Sequence, residues 1–130
     1  MKPLFVFIAT LLMACVKQNR YPDLARPTMN LTAPRIKLTS PRDFQRFTAG
    51  QTVSITAIIT DDEQLEKVCL FVTNRATGIQ VLRSERYLDV KNYNLSESFF
   101  PVAGPRYTIE IEAVDRNNNN AETRIEVSCN

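Results

Sequence analysis

The chain contains no histidine and no tryptophan. Histidine is the commonest general base and metal ligand near neutral pH. Without it, Ser–His–Asp and Cys–His catalytic arrangements are excluded by composition. Without tryptophan, the broadest aromatic platform for a sugar ring is missing as well. Charge of one sign is also lacking, with 16 Lys and Arg against 14 Asp and Glu, a formal +2. Nucleic acid is held by clustered cations that displace counterions, so this balance argues against that partner. Cysteine is sparse, at three residues. The apolar run over residues 4–13 is about as long as a signal-peptide core and too short to cross a bilayer.

That run follows Met1-Lys2 and ends in Leu12-Met13-Ala14-Cys15. The ending resembles the lipobox of bacterial lipoproteins, Leu-x-Ala-Cys. The resemblance implies that the Cys15 thiol is acylated and that the chain is cut just before it. Residues 1–14 are then a lipoprotein signal peptide, and residues 15–34 are the lipidated cysteine and an extended tether. Pro22, Pro27 and Pro34, among polar and basic neighbours, mark the tether. From Val16 to Lys37, five basic residues (Lys17, Arg20, Arg26, Arg35, Lys37) face one acidic, Asp23. They read either as attraction to anionic headgroups or as a solvated tether. In related systems an acidic residue after the acylated cysteine retains the protein, and Val16 is not one. An outer-membrane location follows. The lack of an acidic run from Val16 to Arg20 favours its periplasmic face.

Residues 35–130 are long enough for one domain with one core. Their apolar period is two. Ile36 and Leu38 alternate with polar residues until Ser40-Pro41-Arg42-Asp43 breaks the run. Val53, Ile55, Ala57 and Ile59 alternate next, then Val68, Leu70 and Val72, and a turn at 74–78. Ile79 and Val81 open a strand towards Tyr87, and Tyr93, Leu95 and Phe99 mark another. Tyr107, Ile109, Ile111 and Ala113 are regular, and Ile125 and Val127 close the pattern. About seven short strands with spaced turn signals, and no amphipathic helix, predict an all-β fold: a single antiparallel β-sandwich. An envelope location permits a Cys69–Cys129 bridge. Phase opposes it, because Cys69 is out of step with Val68 and Leu70 while Cys129 is in step with Val127.

Four motifs follow one another in order: Pro34-x-Ile36-x-Leu38-x-x-Pro41, Ala49-Gly50-x-x-Val53-x-Ile55, Thr60-Asp61-Asp62-x-x-Leu65-x-x-Val68, and Gly104-x-x-Tyr107-x-Ile109-x-Ile111-x-Ala113-x-Asp115. Together, across residues 34–129, they resemble bacterial immunoglobulin-like and cadherin-like domains. The resemblance implies a tyrosine-corner hydrogen bond from the Tyr107 hydroxyl. The chain departs from the pattern in lacking tryptophan and both core cysteines, whose places Ile55 and Ile109 fill.

In a sandwich of this order, Asp61-Asp62-Glu63 and residues 115–120 connect strands at one end of the domain. Oxygens of Asp61, Asp62, Glu63, Asp115, Asn117 and Asn119 would converge there as a Ca²⁺ shell. Cadherin-like resemblance points the same way. The alternative is that these residues are structural turns, since Asp and Asn cap backbone amides. Glu110, Glu112, Glu122 and Glu126 fall on the solvent phase with Lys67, Arg83 or Arg86 to balance them, so no enzymatic carboxylate pair is expected. Phe71 and Phe99, with Phe100-Pro101-Val102, suggest an exposed apolar patch for another envelope protein. Tyr87 and Tyr21 are the aromatic rings expected to be open to a glycan, the alternative partner. The expectation is a non-catalytic lipoprotein, held to the membrane through Cys15, that binds or scaffolds in the bacterial envelope.

Overall fold

The computed structural model describes residues 29–130. The expected signal peptide, Cys15 and most of the expected tether lie outside the described residues. Six strands follow: β1 (Arg35–Ser40), β2 (Gln45–Phe47), β3 (Val53–Asn74), β4 (Gln80–Phe99), β5 (Arg106–Asp115) and β6 (Asn120–Cys129). Two of them are long, β3 with 22 residues and β4 with 20. Residues 53–60 of β3 pair with β1 on one side and with residues 92–99 of β4 on the other. Residues 65–74 pair with β5 and with residues 80–90 of β4. The register shifts between Thr60 and Leu65, where both long strands bend.

The bends fold one continuous sheet, ordered β1-β3-β5-β6-β2 with β4 on β3, into two facing layers. This is the antiparallel immunoglobulin-like sandwich, with β2 running parallel to β6 as its one parallel pairing. The expected seven strands become six because 53–59 runs on into 68–72, and 79–87 into 93–99. Residues 61–64, Asp-Asp-Glu-Gln, hold no glycine or proline to break the extended backbone. The chain therefore bends without leaving the strand.

Burial follows the period. Val53, Ile55, Ala57 and Ile59 of one layer face Leu70, Val72, Ile109 and Ile111 of the other, all essentially inaccessible. Each such Val, Leu or Ile contributes roughly 1.5–3 kcal/mol by leaving water. Phe99 belongs to this core and not to an exposed patch. It pairs with inward-facing Val53, so alternation turns Phe100 outward, 75% exposed, and Val102 is 62% exposed. The Phe99 ring meets Tyr107 at 5.2 Å between centroids, tilted by 58°. The Tyr107 hydroxyl accepts the Val102 amide at 2.9 Å, tying the β4–β5 connection to the first turn of β5's core face.

Charged groups occupy the open side of the sandwich. Among the described residues β4 pairs only with β3, so it is an edge in both layers. Arg86 and Glu97 lie opposite Val68 and Ile55, on the inward phase. Glu97 Oε1 accepts Ser84 Oγ at 3.0 Å and Arg86 Nη2 at 3.3 Å, bridging the two layers at the rim. Inward-pointing charge of this kind discourages edge-to-edge pairing with other chains. Arg86 is therefore a seam residue and does not balance the outer glutamates.

Tyr107→Phe keeps the ring and removes the acceptor for Val102. The expected loss of unfolding free energy is about 1–2 kcal/mol in urea denaturation. A change below roughly 0.3 kcal/mol would mean that the hydroxyl does not fasten the β4–β5 connection.

Candidate functional site

The two acidic connections do meet at one end of the sandwich. Asn117 Nδ2 donates to Glu63 Oε2 at 2.6 Å, and the Arg116 amide donates to the Gln64 carbonyl at 3.1 Å. The segment before β1 joins them, with Asn30 Nδ2 on Asp62 Oδ1 at 2.8 Å and Asn119 Nδ2 on the Asn30 carbonyl at 3.0 Å. Lys91 reaches the Asp62 carbonyl, and Arg116 pairs with Asp89. Asp115 is completely buried. Its Oδ1 accepts the Asn117 and Asn119 amides, each at 2.8 Å, and its Oδ2 accepts Asn119 Nδ2 at 2.8 Å. Asn118 takes the left-handed conformation, φ 63°, that asparagine tolerates in tight turns. Asp115 thus staples its own turn. Asp61 Oδ1 accepts the Glu63 amide in the same manner, while Asp61 Oδ2 is buried without a protein partner. Asp62 and Glu63 are exposed.

The second arrangement is the outer face of β4, β3, β5 and β6. Register aligns Glu85, Cys69, Glu112 and Glu122 in one row and Arg83, Phe71, Glu110 and Arg124 in the next. Glu110, Glu112 and Glu122 bring carboxylate oxygens within 4.8 Å of one another. Arg124 relieves that repulsion, pairing with Glu110 and with Glu122 at 3.4 Å. The Glu110 hydrogen bond holds the Arg124 pKa above its ordinary value. Glu85 gathers Lys67 at 3.6 Å, Arg83 at 3.7 Å and the Tyr87 hydroxyl at 3.0 Å. That hydrogen bond raises the Tyr87 phenol pKa. The Arg83 guanidinium lies over the half-buried Phe71 ring, 5.6 Å from its centroid. Tyr87 stands 76% exposed at the margin. No continuous Phe71–Phe99 patch exists, because Phe99 is in the core.

Both remaining cysteines are free and buried. Cys129 packs in the core, and Cys69 lies on the outer face beneath the Lys67, Glu85 and Glu112 row. Burial pushes the Cys69 thiol above its ordinary pKa, so at neutral pH it is a protonated, poorly nucleophilic packing group.

One residue escaped the sequence reading. Phe44 follows the Ser40-Pro41-Arg42-Asp43 break and adopts φ 58° with its ring 70% exposed. A left-handed backbone costs a non-glycine residue roughly 1–2 kcal/mol. An aromatic residue directly after a polar turn was the available signal.

Asp115→Ala leaves two backbone amides without acceptors and is expected to cost about 2–4 kcal/mol of unfolding free energy. Thermal melts in millimolar calcium and in chelator are expected to coincide for the parent chain. A calcium-dependent rise that Asp115→Ala abolishes would assign these oxygens to an ion.

Residues 34–94 match the sequence profile of a family described as Bacterial Ig domain. No curated protein sequence matches the chain significantly. Among solved structures, the fibronectin(III)-like modules of Clostridium thermocellum CbhA superpose with a TM-score of 0.52 at 17% identity, over 75% of this chain and 46% of theirs. The chain therefore spans less than half of that relative. A CARDB domain from Pyrococcus furiosus, solved in complex with di-metal ions, gives 0.53 at 14% identity, over 85% of this chain and 98% of that one. A superoxide reductase (neelaredoxin) from Ignicoccus hospitalis gives 0.56 at 9% identity, over 77% and 82%. At these identities the likeness concerns the fold alone, and with the profile match it supports an immunoglobulin-like domain.

Proposed function

We propose that this chain is a non-catalytic, lipid-anchored module that binds another protein of the bacterial cell envelope. The observation that carries the reading is the outer face of β4, β3, β5 and β6. Tyr87 stands exposed there opposite Lys67, and two rows further along the sheet Arg83 caps Phe71, on strands that do not need to reorganise. Tyrosine, phenylalanine and arginine are enriched at protein interfaces, and rigid presentation lowers the entropy lost on docking. Four strands of about eight residues cover roughly 500 Å². That is more than half the ~800 Å² which one partner contributes to a standard interface. Fixed ion pairs around Glu85 and Arg124 supply a charge pattern that selects a complementary surface. A single exposed tyrosine gives a glycan no aromatic row, which favours protein as the partner.

The anchoring half of the reading is supported by the lipobox-like Leu12-Met13-Ala14-Cys15. On this reading the domain sits at the outer membrane, facing the periplasm, on a tether of residues 15–34.

Cross-linking in the source cells, followed by mass spectrometry, is expected to recover one reproducible protein joined through this face. Tyr87→Ala with Arg83→Glu should reduce that yield about tenfold or more, the scale of an interface anchor. Recovery unchanged by the double variant, or retention of the domain by a glycan array alone, would overturn the reading. Cys15→Ser is expected to leave the protein without lipid and to release it from membranes. Unchanged mass and membrane retention would refute the anchor.

A further inference from the structure

We infer that the cavity over β6, between β2 and the first residue of β5, docks an extended acidic peptide segment of a partner protein. The cavity has a volume of about 120 Å³ and is lined by Phe44, Arg46, Arg106, Glu126, Val127 and Ser128. Small-molecule pockets begin near ~300 Å³, so this space takes one side chain and excludes a whole small ligand. The side chain it suits is a carboxylate. Among the described residues Glu126 is the only acid lining the cavity, and it is already paired with Arg75 and lies 3.9 Å from Arg106. Arg46 adds a third guanidinium to the same neighbourhood, leaving cationic charge in excess. Guanidinium forks bind carboxylates with two parallel hydrogen bonds, which gives direction as well as energy.

Phe44 supplies the apolar half of the site. Its backbone is clamped to β6, the Phe44 amide donating to the Glu126 carbonyl at 2.7 Å. The Asp43 carboxylate in turn accepts the Glu126 amide at 2.9 Å. The ring is therefore held outward, at a position where the left-handed backbone and the exposed aromatic are both locally unfavourable. Neither feature helps the fold, which is the pattern expected of a contact residue.

The strand edge decides the class of partner. β2 ends the sheet and pairs only with β6 among the described residues. Its far edge can continue the ladder with an extended polypeptide, the β-augmentation mode, in which alternate side chains fall into pockets. An acidic sugar could meet the arginines and the ring but cannot extend the ladder. The inference rests on the protein-binding reading above and concerns the β6–β2 corner of the same sheet face, three strands away from Tyr87 on β4.

The test is panning of a random heptapeptide phage library on the full 130-residue chain, with calorimetry on the selected peptides. The expected winners place Asp or Glu beside an apolar residue, and their binding weakens steeply from low to high salt. Arg46→Gln and Arg106→Gln should each lower affinity about tenfold. Lys37→Gln removes the same charge from exposed β1 and should leave affinity unchanged. Phe44→Gly should lower affinity comparably while the melting temperature holds or rises, because glycine adopts positive φ freely. That pairing separates lost binding from lost folding. No enrichment, winners without acidic residues, indifference to all three site variants, or tighter binding of polygalacturonate would each overturn the proposal. A cross-link lost in the Tyr87 variant but no peptide binding would overturn this inference alone, whereas peptide binding with a cross-link unchanged by that variant would overturn the Tyr87 reading alone.

Discussion

The structure depends on two strands that serve both layers. Residues 53–60 and 65–74 of β3 bury alternate side chains into the same core from opposite sides, and β4 follows β3 along its whole length. Because side chains alternate strictly, a slip of one residue on either side of the bend would expose a whole row of Val, Leu and Ile. The register shift between Leu65 and Lys67 is where the chain resets that phase, since Leu65 is still in step with Ile59 and Val68 is not. Leu65 itself is fully buried there, opposite Asp115. The bend, the leucine and the stapled turn at 115–119 are one mechanical unit. Each fixes where the next strand begins.

That unit explains why acidic residues gather at this end without serving as a simple charge cluster. Bending β3 within Asp61-Asp62-Glu63-Gln64 and turning the chain at 115–119 leave backbone amides that need acceptors, and carboxylates at short range supply them. Elsewhere the charges work differently. On the outer face they form cross-strand pairs that hold like-charged glutamates together through Arg124. At the rim, Arg86 and Glu97 turn inward and close the seam of an otherwise unguarded edge strand. The first use secures the fold, the second relieves repulsion across the sheet face, and the third blocks unwanted pairing.

Exposed aromatic residues divide along the same lines. Phe100 and Tyr87 are outward because alternation forces them there once Phe99 and Val68's neighbours are committed to the core. Phe44 is outward for a different reason, since a hydrogen-bonded clamp to β6 holds a strained backbone. Strain maintained by surrounding contacts marks sites where recognition, not stability, sets the residue. The domain thus presents two kinds of surface on one scaffold, a broad charged sheet face and a small cationic cavity at an open strand edge.

Much of the architecture was legible in the residue spacing. Period-two alternation identified Val53–Ile59, Val68–Val72 and Tyr107–Ala113 as buried rows, and phase alone put Cys69 and Cys129 on opposite faces. The convergence of residues 61–63 with 115–119 was readable from strand order. What the spacing left open was decided by contacts distant in the chain. Whether Asp61-Asp62-Glu63 is a loop or a bend, which of two adjacent phenylalanines faces inward, and whether Arg86 faces solvent or Glu97 all depend on the partner strand's register. The Phe44 clamp spans residues 43 to 126 and has no local signature. Alternation along one strand determines which residues share a face. Only the pairing of strands determines what that face meets, because hydrogen-bond register and sheet bending are properties of two segments together.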